Sequence, residues 1–171
     1  MLSIRAGKAE DYEAISRVHR AAFGGENEVN LVRKLRDSKE FLPELSLVAV
    51  MDGEIVGHIL FSPVIIQCSD RSVRALALAP MAVQPEFQRQ GIGSQLTGKG
   101  LACCRRLGRQ IVIVVGHSEY YPRFGFSPAR ARRLEVPFPV PDEAFMVLEL
   151  AQGPLDSTCG MVLYPTPFEE A

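Results

Sequence analysis

No apolar run in this chain approaches the roughly 18 residues that a membrane-spanning helix requires. Neither sign of charge dominates: the formal net charge is −1 over 171 residues. The first absence argues against a bilayer anchor, the second against a global field that recruits nucleic acid or anionic lipid. The four cysteines, Cys68, Cys103, Cys104 and Cys159, lack CxxC spacing and a nearby histidine partner. They read as reduced thiols packed like small hydrophobes, with no metal and no disulfide expected. The opening "MLSIRAGKAEDYEA" carries charges where a secretory signal needs its apolar stretch, so a cytoplasmic protein is expected. With 47% hydrophobic and 23% charged residues the composition is that of a soluble globular protein. The length suits one domain over residues 1–171.

Three phosphate or nucleophile motifs are missing as well. The turn "QRQGIGS", Gln88 to Ser94, contains Gly-x-Gly but no lysine in the place a Walker A loop needs one. The dinucleotide fingerprint would require glycine where Leu96 stands. The GxSxG elbow of serine hydrolases is absent. A Gly-x-Gly turn ahead of a helix still leaves several N–H groups without intrahelical acceptors. With the helix dipole they favour an anion such as pyrophosphate. On these seven residues alone, an anion grip and a plain helix start both remain open.

The pattern along the chain supplies the setting. Leu2 to Arg5 reads as a strand. Lys8 to Phe23 reads as a helix, with Tyr12, Ile15, Val18 or His19, and Ala22 at helical spacing. A second helix carries Val29, Val32, Leu35 and Arg36. Two apolar runs flank Asp52-Gly53, a dipeptide suited to a tight antiparallel hairpin. Ala75 to Val83 is a further strand, in which Pro80 cannot donate to a ladder and marks a bulge or a lapse in pairing. A helix follows from about Gly91 to Leu107, with Gly98 and Gly100 inside it at a cost of about 1 kcal/mol each against alanine. Ile111 to Val115, "IVIVV", has the unbroken apolarity of a buried strand. Met146 to Leu150 and Met161 to Tyr164 are late strands. The clusters Arg105, Arg106, Arg109 and Arg130, Arg132, Arg133 suit a solvated face or an anionic ligand. The succession of elements is α+β or mixed α/β.

The frame "LALAPMAVQPEFQRQGIGSQL", with "YYPRFGF" after the next strand, resembles the acetyl-CoA signature of the GNAT superfamily of N-acetyltransferases. Gln88, Gly91 and Gly93 fall on the positions of its Q/R-x-x-G-x-G/A turn, and the likeness runs from about Ile4 to Phe126. The resemblance implies a mixed, mostly antiparallel central sheet of seven strands flanked by helices, its fourth and fifth strands splayed. It implies acetyl-CoA as cosubstrate. The backbone N–H groups of Arg89, Gln90, Gly91, Ile92, Gly93 and Ser94 would cradle the pyrophosphate. Those of Met81, Ala82 and Val83 would hold the pantetheine arm and polarise the thioester carbonyl, an oxyanion contact.

The same resemblance implies direct attack by an amine on the thioester. Tyr121, four residues before Gly125, falls on the position of the general acid that protonates the leaving thiolate, with Tyr120 as the alternative. An ordinary phenol near pKa 10 gives a proton to a thiolate near 8.5 at a cost of about 2 kcal/mol. Holding the attacking amine neutral near pH 7 costs roughly 4–5 kcal/mol for a lysine-like group. His117, Glu119 and Glu28 are candidate bases, whereas His19 and His58 read as packed or surface histidines. The expected acceptor is a small-molecule amine or a peptide or protein amine, with no nucleic acid or membrane partner expected, and a monomer or a homodimer is expected. The competing reading is a non-catalytic CoA-binding sensor or interaction module.

Overall fold

The computed structural model describes residues 1–169. Nine strands and four α-helices appear among the described residues. The strands are β1 (Leu2–Ala6), β2 (Ser46–Met51), β3 (Glu54–Gln67), β4 (Ser72–Val83), β5 (Ile111–Val115), β6 (Ser127–Pro128), β7 (Leu134–Glu135), β8 (Phe145–Glu149) and β9 (Gly160–Leu163). The helices are α1 (Tyr12–Phe23), α2 (Asn27–Arg36), α3 (Ile92–Arg106) and α4 (Thr166–Glu169). Hydrogen bonding gives the strand order β1-β2-β3-β4-β5-β8-β6, with β9 on β3 and β7 on β9. Pairings β1/β2, β2/β3, β3/β9, β5/β8 and β6/β8 are antiparallel. Those of β4/β5 and β7/β9 are parallel. The sheet is mixed and mostly antiparallel, as the family resemblance implies. The count of seven that the resemblance implies is corrected to nine, β6 and β7 being short strands of two residues each.

The chain gathers into two compact units, residues 1–62 and 79–103 with the segment from Thr166, and residues 63–78 and 104–165. In the first, Asp52 and Gly53 take φ of 50° and 84° and turn β2 back into β3. This left-handed pair is the hairpin the Asp-Gly dipeptide demands. Residues 55–61 of β3 are buried on both faces, which explains their lack of polar alternation. Even positions His58 and Leu60 meet the side of α1, while odd positions Gly57 and Phe61 meet α3. Ile15 and Val18 of α1 close a core with Leu31, Val32 and Leu35 of α2 and Val48, Leu60 and Ala82 of the strands. Helix α1 starts at Tyr12 and not at Lys8. Ahead of it Ala9–Asp11 make a 3-10 turn, in which the Asp11 carboxylate accepts from the Lys8 N–H at 2.8 Å and from Arg5 at 2.7 and 3.1 Å.

Of Gly98 and Gly100 inside α3, only Gly100 is explained by packing. A Cβ there would lie 2.4 Å from Phe61 Cε1, whereas one at Gly98 would meet nothing within 4 Å.

In the second unit, β4 pairs with β5 through Leu76–Val112 and Ala77–Ile113. The register ends there, three residues before Pro80, although β4 runs on to Val83 and β5 to Val115. β8 covers the whole of β5, from Ile111–Glu149 to Val115–Phe145. Ile111, Ile113, Leu134, Phe145, Val147 and Val162 lead its core. Arg130 bonds Glu135, Asp142 and the Val140 carbonyl, and Arg132 bonds Glu149. Arg130 and Arg132 of this basic cluster are spent on the protein's own carboxylates. All four cysteines are free thiols, Cys68 and Cys104 of them buried. No helix among the described residues is long and apolar enough to cross a membrane.

Candidate active site

The glycine turn belongs to the first unit and is tied down from both ends. Gln84 N–H bonds the Val56 carbonyl at 2.8 Å, and its side-chain amide donates to Ile55 at 3.1 Å, fixing the chain as it leaves β4. Pro85–Phe87 form a 3-10 turn. The Gln88 amide then reaches back to the Val83 carbonyl at 2.9 Å, so this motif glutamine clamps the loop onto the strand end. Arg89 and Gly91 both adopt left-handed backbone, with φ of 64° and 83°, either side of Gln90. Such a conformation is easy for glycine and costly for arginine. A Cβ at Gly91 would meet nothing within 4 Å, so the space beside this backbone is open to a ligand.

Helix α3 begins at Ile92, and the bond from Gln95 N–H to Gly91 O at 3.0 Å lies at its head. The N–H groups from Arg89 to Gly93 therefore precede the helical ladder and have no acceptor within it. Ile92 and Leu96 are buried and anchor the first turns. Thr97, which the sequence did not single out, is buried; its hydroxyl donates to Gly93 O at 2.9 Å and lies 3.4 Å from Met81 Sδ. It links the two stretches expected to hold the cosubstrate. Gly57 is the other residue missed: a Cβ there would stand 3.0 Å from Leu96 Cδ1 and 3.3 Å from Ala82 O, so α3 approaches the sheet only over glycine. Neither carries a local motif, and only the tertiary packing exposes them. Met81, Ala82 and Val83 end β4, the last two buried and Met81 half-buried.

Tyr121 belongs to the second unit, at the head of the 3-10 turn Tyr121–Phe124 that follows β5. It is 7% exposed. Its ring meets Tyr120 edge-on at 5.0 Å and Phe126 at 5.7 Å between centroids. Below the ring lies Gly116, whose added Cβ would fall 2.6 Å from Tyr121 Cε2. Burial, with a smaller contribution from Tyr120, pushes the phenol up to about 12. It stays protonated through the physiological range, as a proton donor must, but it is a weaker acid than an exposed phenol. Gly125, at φ 102°, ends the turn in a conformation that glycine tolerates.

Among the base candidates, His117 and Glu119 are exposed and Glu28 is half-buried on α2. His19 and His58 are fully buried and bonded to each other. No group of three metal-ligating side chains occurs among the described residues.

A family model described as an acetyltransferase (GNAT) domain matches residues 3–129. The "Uncharacterized N-acetyltransferase YjhQ" of Escherichia coli K12 is 38% identical over 152 residues, covering 86% of this chain and 84% of that protein. YhbS, from the same strain, is 35% identical over 159 residues, covering 92% and 93%. The crystal structure of Escherichia coli YhbS in complex with CoA aligns with a TM-score of 0.90 at 32% identity, over 98% of this chain and 92% of that one. A GNAT family acetyltransferase from Brucella melitensis in complex with acetyl-CoA aligns at 0.80 and 34%, over 98% of both chains. With that family match across most of its length, and these relatives beside it, the chain belongs to the GNAT family of acetyltransferases.

Proposed function

We propose that this chain, acting as a single acyl-CoA N-acyltransferase domain, transfers an acetyl group from acetyl-CoA to a primary amine that attacks the thioester directly. The observation that carries the reading is the turn at Arg89 and Gly91, two left-handed residues opening onto free space at the head of α3. Bound acetyl-CoA supplies an activated thioester and a thiolate leaving group. Relatives crystallised with CoA and acetyl-CoA support that choice of cosubstrate.

The N–H groups from Arg89 to Ser94 hold the pyrophosphate, aided by the positive end of the α3 dipole. Gln88 keeps the turn in register by its bond to Val83. The backbone of Met81, Ala82 and Val83 holds the pantetheine arm and donates to the carbonyl oxygen as charge develops there. Tyr121 returns a proton to the departing thiolate. At its raised pKa of about 12 that transfer is uphill by about 5 kcal/mol against a thiol near 8.5. The proton therefore moves as the carbon–sulfur bond breaks, while the sulfur gains basicity. His117, Glu119 or Glu28 takes up the proton of the amine.

The test is release of free CoA from acetyl-CoA with a polyamine, an aminoglycoside and a peptide bearing a free N-terminus, alongside a thermal shift with acetyl-CoA. Release with at least one class, falling about 100-fold in Tyr121→Phe, is the expected outcome. Binding without release from any amine would leave a CoA-binding module. No thermal shift at millimolar acetyl-CoA would remove both readings.

A further inference from the structure

We infer that Gly116 is a positioning residue for Tyr121, an assignment that rests on the acid role proposed above. Gly116 follows β5 directly, and its N–H bonds the Ala144 carbonyl at 2.9 Å, holding its backbone to the segment that leads into β8. Its φ lies outside the left-handed region where glycine is favoured. What excludes a side chain is the Tyr121 ring alone. A Cβ on Gly116 would stand 2.6, 3.2 and 3.6 Å from Cε2, Cδ2 and Cζ of that ring, with no other atom among the three nearest.

The ring has little room to yield. Tyr120 and Phe126 pack against it edge-on, and it is almost wholly buried. The Tyr121 N–H bonds the His117 carbonyl at 3.3 Å, one residue beyond Gly116, so both ends of the contact belong to one tight turn. Carbon atoms pack at about 3.5 Å or more. An alanine at 116 must therefore push Cε2 aside by roughly 1 Å, and a ring that yields by pivoting about its Cβ carries the hydroxyl with it. A misplacement of about 1 Å is enough to cost on the order of 100-fold in rate. The bare Cα of Gly116 thus sets where the hydroxyl stands, and Phe126 supports the ring from another side.

Two measurements test this on the full chain. The first needs no acceptor: titrate the thiol of CoA bound to the protein by the ultraviolet absorbance of its thiolate. A tyrosine hydroxyl donating to the thiolate lowers the thiol pKa, so Tyr121→Phe should raise it by about one unit. Gly116→Ala should raise it similarly, and the double variant should add nothing further. The second is CoA release with the amine panel. Gly116→Ala should lower kcat by about 10- to 100-fold with KM for acetyl-CoA within about twofold, yet change kcat less than twofold when Tyr121 is already phenylalanine. Phe126→Leu keeps the question open to refutation if Gly116→Ala fails to fold. It loosens the ring from its other side and should likewise act only when Tyr121 is present. Equal losses in both backgrounds would overturn the positioning role. Wild-type values for Tyr121→Phe in both measurements would instead overturn the acid role beneath it.

Discussion

His19 on α1 and His58 on β3 share a 2.8 Å hydrogen bond, Nε2 to Nδ1, with neither ring exposed to solvent. Ser46 Oγ extends the chain, 2.9 Å from His58 Nε2. A bond between two imidazoles needs an N–H on one and a lone pair on the other, so the pair cannot be doubly protonated and stay intact. The Arg36 guanidinium adds to the penalty, although burial is the larger cause of both lowered pKa values; His19 falls to about 4.

That pair should make the fold acid-sensitive. A histidine whose folded pKa lies below its unfolded value of 6.5 stabilises fully above pH 6.5. It loses that contribution as pH falls toward the folded pKa, because the unfolded chain binds the proton first. For His19 the window is about pH 6.5 to 4, and the loss is about 3 kcal/mol. Melting temperatures across that window should fall more steeply in the wild type than in the double variant His19→Gln/His58→Gln, whose amides bond but do not titrate. Parallel curves would show that the pair is not the sensor.

Gly98 and Gly100 lie two residues apart in α3, and their replacement by alanine should change stability in opposite directions. Gly98→Ala gains helix propensity of about 1 kcal/mol with no new contact. Gly100→Ala gains the same but drives a methyl into the fully buried Phe61 ring. The net loss should be about 1–2 kcal/mol, within the usual cost of overpacking. Urea midpoints at unchanged slope would report both, and a shared sign would refute the packing account.

Much of this molecule is legible before folding. The Asp52-Gly53 hairpin follows from the φ values that dipeptide tolerates, and β5 from the unbroken apolar run "IVIVV". Gln88, Gly91 and Gly93 are legible because a tight turn ahead of a helix leaves a local spacing behind it. What stayed hidden depends on residues distant in the chain. His19 and His58 are 39 positions apart, and each alone looks like an ordinary packed histidine. Gly98, Gly100 and Gly116 are indistinguishable as letters. Only Phe61 and the Tyr121 ring separate the two that exclude a side chain from the one that does not.

At the turn itself, backbone should matter more than charge. Gly91 sits at φ 83°, where a β-branched residue costs about 1–2 kcal/mol. The loop would relieve that strain by rotating the very N–H groups proposed to grip the pyrophosphate. Gly91→Val should weaken acetyl-CoA binding about tenfold by calorimetry, and Arg89→Ala by less than about threefold, as an exposed charge contributes little. The reverse order would mean that the side-chain charge is the grip.

The raised pKa of Tyr121 also governs how the rate should depend on pH. Between pH 6 and 9 the rate should climb as the attacking amine loses its proton, since only the neutral amine is nucleophilic. A general acid at an ordinary phenol's pKa would bend the profile downward near 10. Burial moves Tyr121 to about 12, so the wild type should show no descending limb before the protein itself is lost to alkali. Loosening the pocket with Phe126→Leu admits water beside the hydroxyl and should bring the pKa back toward 10. A descending limb would then enter the accessible range for that variant. A descending limb in the wild type between pH 8 and 10 that disappears in Tyr121→Phe would place the phenol's pKa at its solvent value and contradict the buried environment described for it.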